Sequence, residues 1–174
     1  MGCDIHLHIE VKSKRYKDTN WDSPSFKGEF SDRIYGMFAY LGNVRNYKEI
    51  VPIVPNRGIP EDLNWRTFDS YYRKIVDNEE CNYEEEISSS EVESYLKLGF
   101  SGIIERNEIR FFPYPDWHSP NWCTSEEFKQ CYNKVFRDEY GNNHGCYIEW
   151  LALLSYISIL EEEYEVRCVY WFDN

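Results

Sequence analysis

Residues 3–12 read CDIHLHIEVK, apolar and ionisable side chains in strict alternation. A β-strand turns successive side chains to opposite faces, so Cys3, Ile5, Leu7, Ile9 and Val11 share one face and Asp4, His6, His8 and Glu10 the other. That pattern predicts a strand whose apolar face lies on a core. The other face carries four ionisable groups in a row, more than wetting alone requires, and its histidines are candidates for chemistry near neutral pH. The plainer reading, the wet face of a half-buried sheet, stands beside it.

The far end of the chain mirrors this stretch. Residues 164–174, YEVRCVYWFDN, are dense in β-branched and aromatic residues and predict a second strand. The apolar run CYIEWLALLSYISIL before it predicts a helix that aims Ile148, Leu151, Leu154, Ile157 and Leu160 at the core. Two terminal strands with helices between them predict an α+β fold. It is a single domain over 1–174, with a small mixed or antiparallel sheet containing the N- and C-terminal strands, packed against several helices.

Between the ends, IYGMFAYLGNVRNY spaces Ile34, Met37, Phe38, Leu41 and Val44 as one face of a short helix that Arg45 ends. VPIVPNRGIPEDLNW imposes an extended, bent path, with Arg57 and Gly58 at the mouth of a helix expected from Pro60 through Val76. Residues 75–112 read as an acidic insertion, partly helical, with IIERNEIRFF forming two short strands around a turn at Arg106 and Asn107. FPYPDWHSPNWCTSEEF is a proline-framed loop carrying Asp116, Trp117, His118, Ser119 and Trp122. Thr124 and Glu127 then form the T-x-x-E box that opens a helix.

Composition narrows the function. The chain has 174 residues and a net charge of −12, acidic residues outnumbering basic ones 31 to 19, which argues against a long nucleic acid partner. One or two placed arginines still suffice for a small phosphate. No apolar run approaches the roughly 20 residues of a membrane span, and no signal peptide precedes the first strand, so the expectation is a cytoplasmic protein. The six cysteines show no C-x-x-C pair and read as reduced thiols. Position 6 is His where a myristoylation signal requires Ser or Thr.

Several segments together, MGCDIH, FAYLGNVRN, NRGIP, DWHSPNW and the ending WFDN, resemble a family of small, mostly uncharacterised proteins of phages and other viruses. This sequence departs from that family in its long 75–112 segment and in Cys123, where leucine is more usual. The resemblance implies viral provenance and action in the host cytosol.

The same segments supply a candidate site. His6 and His118, facing each other across a pocket with Asp4 beside them, could act as base and acid in phosphodiester hydrolysis. Arg45, Arg57 and Ser119 would hold the phosphate, and Trp117, Trp122 or Tyr114 would stack on a base. A second arrangement uses Asp4, His6, Asp116 and His118 as ligands of a divalent metal ion, following two D-x-H elements. The expected function is recognition of a small nucleotide with hydrolysis of a cyclic-nucleotide host-defence signal. Sequestration without turnover, and inhibition of a host enzyme through the acidic insertion, stay open, as does a homo-oligomer.

Overall fold

A computed structural model describes residues 2–17, 19–24, 33–78, 81–139 and 147–173. His144 and Cys146 lie outside the described residues. The fold is α+β and divides into two compact units, residues 1–64 with 118–174 and residues 65–117. The 75–112 segment falls within the second.

In the first unit, β1 (Ile5–Ser13) pairs antiparallel with β7 (Tyr164–Phe172), and β6 (His118–Thr124) pairs antiparallel with the other edge of β7. The two terminal segments are therefore neighbours in one sheet, as their patterns predicted. Helices α1 (Tyr35–Gly42), α4 (Ser125–Asn133, continued by a π-helical turn over Lys134–Glu139) and α5 (Ile148–Leu160) complete this unit. They share a core with one sheet face, where Ile5, Ile9, Cys168 and Phe172 meet Phe38, Phe128 and Trp150. Gly42 lets α1 approach closely, since a Cβ there would sit 2.9 Å from Phe172 Cε2.

Besides the expected proline-framed loop, which from His118 to Thr124 is strand β6 because it pairs with β7, the expected elements hold with three differences. Thr124 and Glu127 form the anticipated capping box, but α1 ends at Gly42 because Asn43 turns left-handed at φ 57°, and Arg45 lies beyond it at φ 49°. Expected to continue to Val76, the helix after Pro60 is only α2 (Trp65–Tyr71), and the chain from Tyr72 to Val76 is strand β2. Its Tyr-Arg-Lys-Ile-Val sequence suits a strand, and pairing with β3 (Glu86–Ser88) and β5 (Ile109–Pro113) overrides helix propensity.

The third difference is the register of α5. Trp150, Leu153 and Ile157 are buried, while Ile148 is 72% exposed. Of the expected stripe, Ile157 is buried, and Leu154 and Leu160 pack at the border of the core.

In the second unit the strand order is β3-β2-β5-β4, with β4 (Ile104–Arg106) joined to β5 through Asn107 and Glu108, both at positive φ. Ser88 and Glu91 form a capping box at the start of α3 (Ser89–Lys97). Ile75, Ile87, Val92 and Phe112 make its small core.

Candidate functional site

The ionisable face of β1 is not a wetted face along its length. Glu10 is fully buried and Arg167, directly opposite on β7, joins it in an ion pair, with Nε 2.8 Å from Oε2. His8 is partly buried and stacks on Trp171, ring centroids 4.8 Å apart. Burial first, and then the charge of His6, push its pKa down to about 4. A histidine that folds neutral favours the native state above its unfolded pKa near 6.5, and that stability is lost as pH falls toward 4. We expect wild-type stability to decline by on the order of 3 kcal/mol over that interval, and His8→Phe, which keeps the ring contact without titrating, to flatten the decline in urea unfolding at several pH values.

Chemistry is richer where β1 begins and β7 ends. Asp173 Oδ2 lies 2.9 Å from His6 Nε2, and its Oδ1 accepts the Asp4 N–H at 3.0 Å. The Asp173 N–H returns to the Asp4 carbonyl at 3.2 Å, so the two chain termini clip each other and fix the carboxylate against the imidazole. Burial opposes the charge of Asp173, but the hydrogen bonds from His6 and Asp4 and the charges of His6 and Arg33 hold its carboxyl below the ordinary value. The pair remains reachable, with side-chain exposures of 37% and 30%.

Two guanidiniums frame this pair. Arg33 grips Asp4 bidentately at 2.6 and 2.8 Å. Arg45 reaches the Gly2 carbonyl at 3.4 Å and Tyr47 Oη at 3.5 Å. Between them the buried Cys3 thiol is pushed up, by burial above all, while Arg45 pulls it down and Asp173 and Asp4 push it up.

His118 does not face this pair. It is opposite Phe172 in the ladder, and Phe172 is also opposite Ile5, so His118 lies on the core side of the sheet while His6, opposite Trp171, lies on the other. Its ring stacks on Phe172 at 6.1 Å, its Nδ1 meets Ser119 Oγ at 3.1 Å, and its buried Nε2 has no partner among the described residues. The expectation of two imidazoles in one hollow is therefore corrected. Sheet pairing sets them on opposite faces.

The remaining expected residues have separate neighbours. Ser119, strained at φ 48°, lines a cavity of about 420 Å³ with Asn43, Asn56 and Asn121. Arg57 is tied bidentately to Glu127 at 2.8 and 2.6 Å and lies over the Trp122 ring at 4.7 Å, so its charge is spent within the fold. Its partner is neither Asp62 nor Glu61, the carboxylates nearest in sequence. Asp116 and Trp117 belong to the second unit, where Trp117 stacks on Tyr71 at 5.9 Å. Among the described residues no three His, Cys, Asp or Glu side chains come together as a metal site, so the proposed four-ligand set of Asp4, His6, Asp116 and His118 is not assembled. No helix among them is long and apolar enough to cross a membrane.

Asp173 and Arg33 were missed by the sequence reading. The pattern of strand alternation places His6 on a face but does not say which residue of β7 comes opposite. The antiparallel register, ending with Ile5 opposite Phe172, brings Asp173 to it. Compared with known proteins, the chain matches no family model, and neither a curated protein nor a solved structure shows significant similarity to it.

Proposed function

We propose that the protein recognises a small nucleotide at the end of the three-stranded sheet and hydrolyses a phosphodiester there, with His6 as general base. The observation that supports this most is the accessible His6–Asp173 hydrogen bond. A carboxylate on Nε2 fixes the tautomer in which Nδ1 is the nitrogen that takes a proton from water or a ribose hydroxyl. Arg45, which follows α1 and reaches the Gly2 carbonyl beside this pair, supplies charge for the phosphate, and Arg33 orients Asp4. The substrate class, a cyclic nucleotide of host defence, follows from the resemblance to phage and viral proteins.

A second reading, binding without turnover, is favoured by the position of His118. With that imidazole on the other face, the second described histidine on the His6 face is His8, which burial against Trp171 holds neutral, so among the described residues no imidazolium stands ready to protonate a leaving oxygen. Incubation with cyclic mono- and dinucleotides separates the two readings. For hydrolysis, wild type releases linear product, His6→Ala and Asp173→Asn lose turnover by about a hundredfold or more while calorimetric binding persists, and Arg45→Ala weakens binding. Ligand recovered whole from denatured wild type supports sequestration. Neither product nor bound ligand across the panel overturns both.

A further inference from the structure

The second unit contains an arginine unlike Arg33, Arg57 and Arg167 of the first, each of which meets a carboxylate at hydrogen-bonding distance. Arg73 meets none among the described residues. Its guanidinium lies over the rings of Tyr114 at 4.8 Å and Trp117 at 5.1 Å. Its Nη1 makes only long contacts, 3.4 Å each, to the carbonyls of Asp69 and Tyr72, and its Nε is buried without a partner. Two aromatic faces therefore strip water from a charge that no carboxylate among the described residues touches, Glu84 and Glu85 acting on it only at longer range, and this is costly unless an anion joins it. Burial accordingly lowers its pKa, although an arginine stays charged at any physiological pH.

Arg73 lines a cavity of about 90 Å³ together with Tyr95, Tyr114, Glu86, Glu91 and Asp116. Glu86 and Glu91 are anchored, accepting the N–H groups of Asn82 and Ser88. Both Asp116 and Glu91 act on Tyr95, whose phenol is pushed up by burial first and then by their charges. The wall is thus one cation facing three carboxylates, with tyrosine rings between.

That charge pattern selects its ligand. A phosphate dianion would be drawn to Arg73 but repelled by the three carboxylates, and a simple cation would meet the reverse conflict. A zwitterion whose ammonium and carboxylate are joined through a single carbon satisfies both walls. The volume is about three water molecules' share of liquid, far below the several hundred Å³ of a pocket that encloses a nucleotide-sized ligand. It admits a head group and leaves the rest of the molecule outside.

We infer that this cavity receives the head group of a free α-amino acid, its carboxylate against the guanidinium of Arg73 and its ammonium against Asp116 and Glu91. The side chain points out to solvent, so discrimination among amino acids is weak. This assignment does not rest on the proposed nucleotide site, since it uses other residues in the other unit.

Titration calorimetry of the full chain with glycine, alanine and serine tests it, with glycine methyl ester, N-acetylglycine, acetate, methylammonium and inorganic phosphate as comparators. The three amino acids should bind with similar affinity. The ester, which lacks the carboxylate, and the N-acetyl compound, which lacks the ammonium, should each bind about tenfold more weakly or worse. Asp116→Asn should weaken glycine without affecting the fold, because no hydrogen bond among the described residues depends on that side chain, and Arg73→Gln should abolish binding. Absence of heat with any amino acid overturns the inference, as does phosphate or methylammonium binding as tightly as glycine. The comparators act on wild-type protein, so the result stands even where Arg73→Gln unfolds the unit.

Discussion

Replacing Arg167 by methionine should cost about 3–5 kcal/mol of unfolding free energy in urea, among the largest losses any single substitution in the first unit would give. The guanidinium is 4% exposed and fully used. Its Nε and Nη2 meet Glu10 Oε2 at 2.8 and 2.6 Å, Nη1 meets Asp62 Oδ1 at 2.7 Å, and Nη2 also donates to the Asp62 carbonyl at 3.0 Å. The Trp21 ring covers its face at 4.1 Å. Removing it leaves the Glu10 carboxylate, at 0% exposure, with the Asn64 N–H at 2.9 Å as its remaining hydrogen bond. An uncompensated buried charge is what makes this loss large, rather than the net worth of the ion pair. The double variant Glu10→Gln with Arg167→Met should therefore recover more than half of it, because the neutral amide still accepts from Asn64 N–H. A loss below about 1 kcal/mol for Arg167→Met would show that water reaches Glu10 and that the strap carrying Asp62 and Asn64 does not seal this face.

Trp150→Ala should cost about 3–5 kcal/mol, while Ile148→Ala, two residues earlier on the same helix, should stay within about 0.5 kcal/mol. Trp150 is fully buried and stacks on Phe128 with ring centroids 6.1 Å apart and planes 19° from parallel, so its removal empties a large, well-packed volume. Ile148 is mostly exposed and loses little by truncation. The comparison is a direct reading of which face α5 presents to the sheet. Equal losses at the two positions would mean that the helix is rotated from the register described. Thermal or urea unfolding monitored by far-UV circular dichroism suffices, since both variants keep the helix-forming alanine.

That rotation shows why one part of the fold was legible in sequence and another was not. Along β1 the period of two is unambiguous, because every second residue is polar, and the strand and its core face follow directly. Along IEWLALLSYISIL almost every residue is apolar, so the stripes through 148 and through 150 are equally good on periodicity, and only contact with Phe128 and the sheet selects between them. Capping boxes at Ser88 and Thr124 are local hydrogen-bond pairs, and Thr124 with Glu127 was readable for that reason. The boundary at Tyr71, where helix α2 gives way to strand β2, depends on the nonlocal partners β3 and β5 and was not.

The candidate site divides along the same line. Residue types and chain order by themselves determined the two terminal strands, the α+β class, and the presence of an ionisable row at Asp4, His6, His8 and Glu10. Which of those groups is a salt bridge, which a neutral ring and which a candidate base was decided only by tertiary structure. Register set Arg167 opposite Glu10 and brought Trp171 against His8 and Asp173 against His6 as diagonal neighbours on the same face, and the same register placed His118 on the far side of the sheet. A side chain's chemistry is set by the charges and rings within a few ångströms of it, and in this chain those partners lie more than 150 residues away in sequence for both His6 and Glu10.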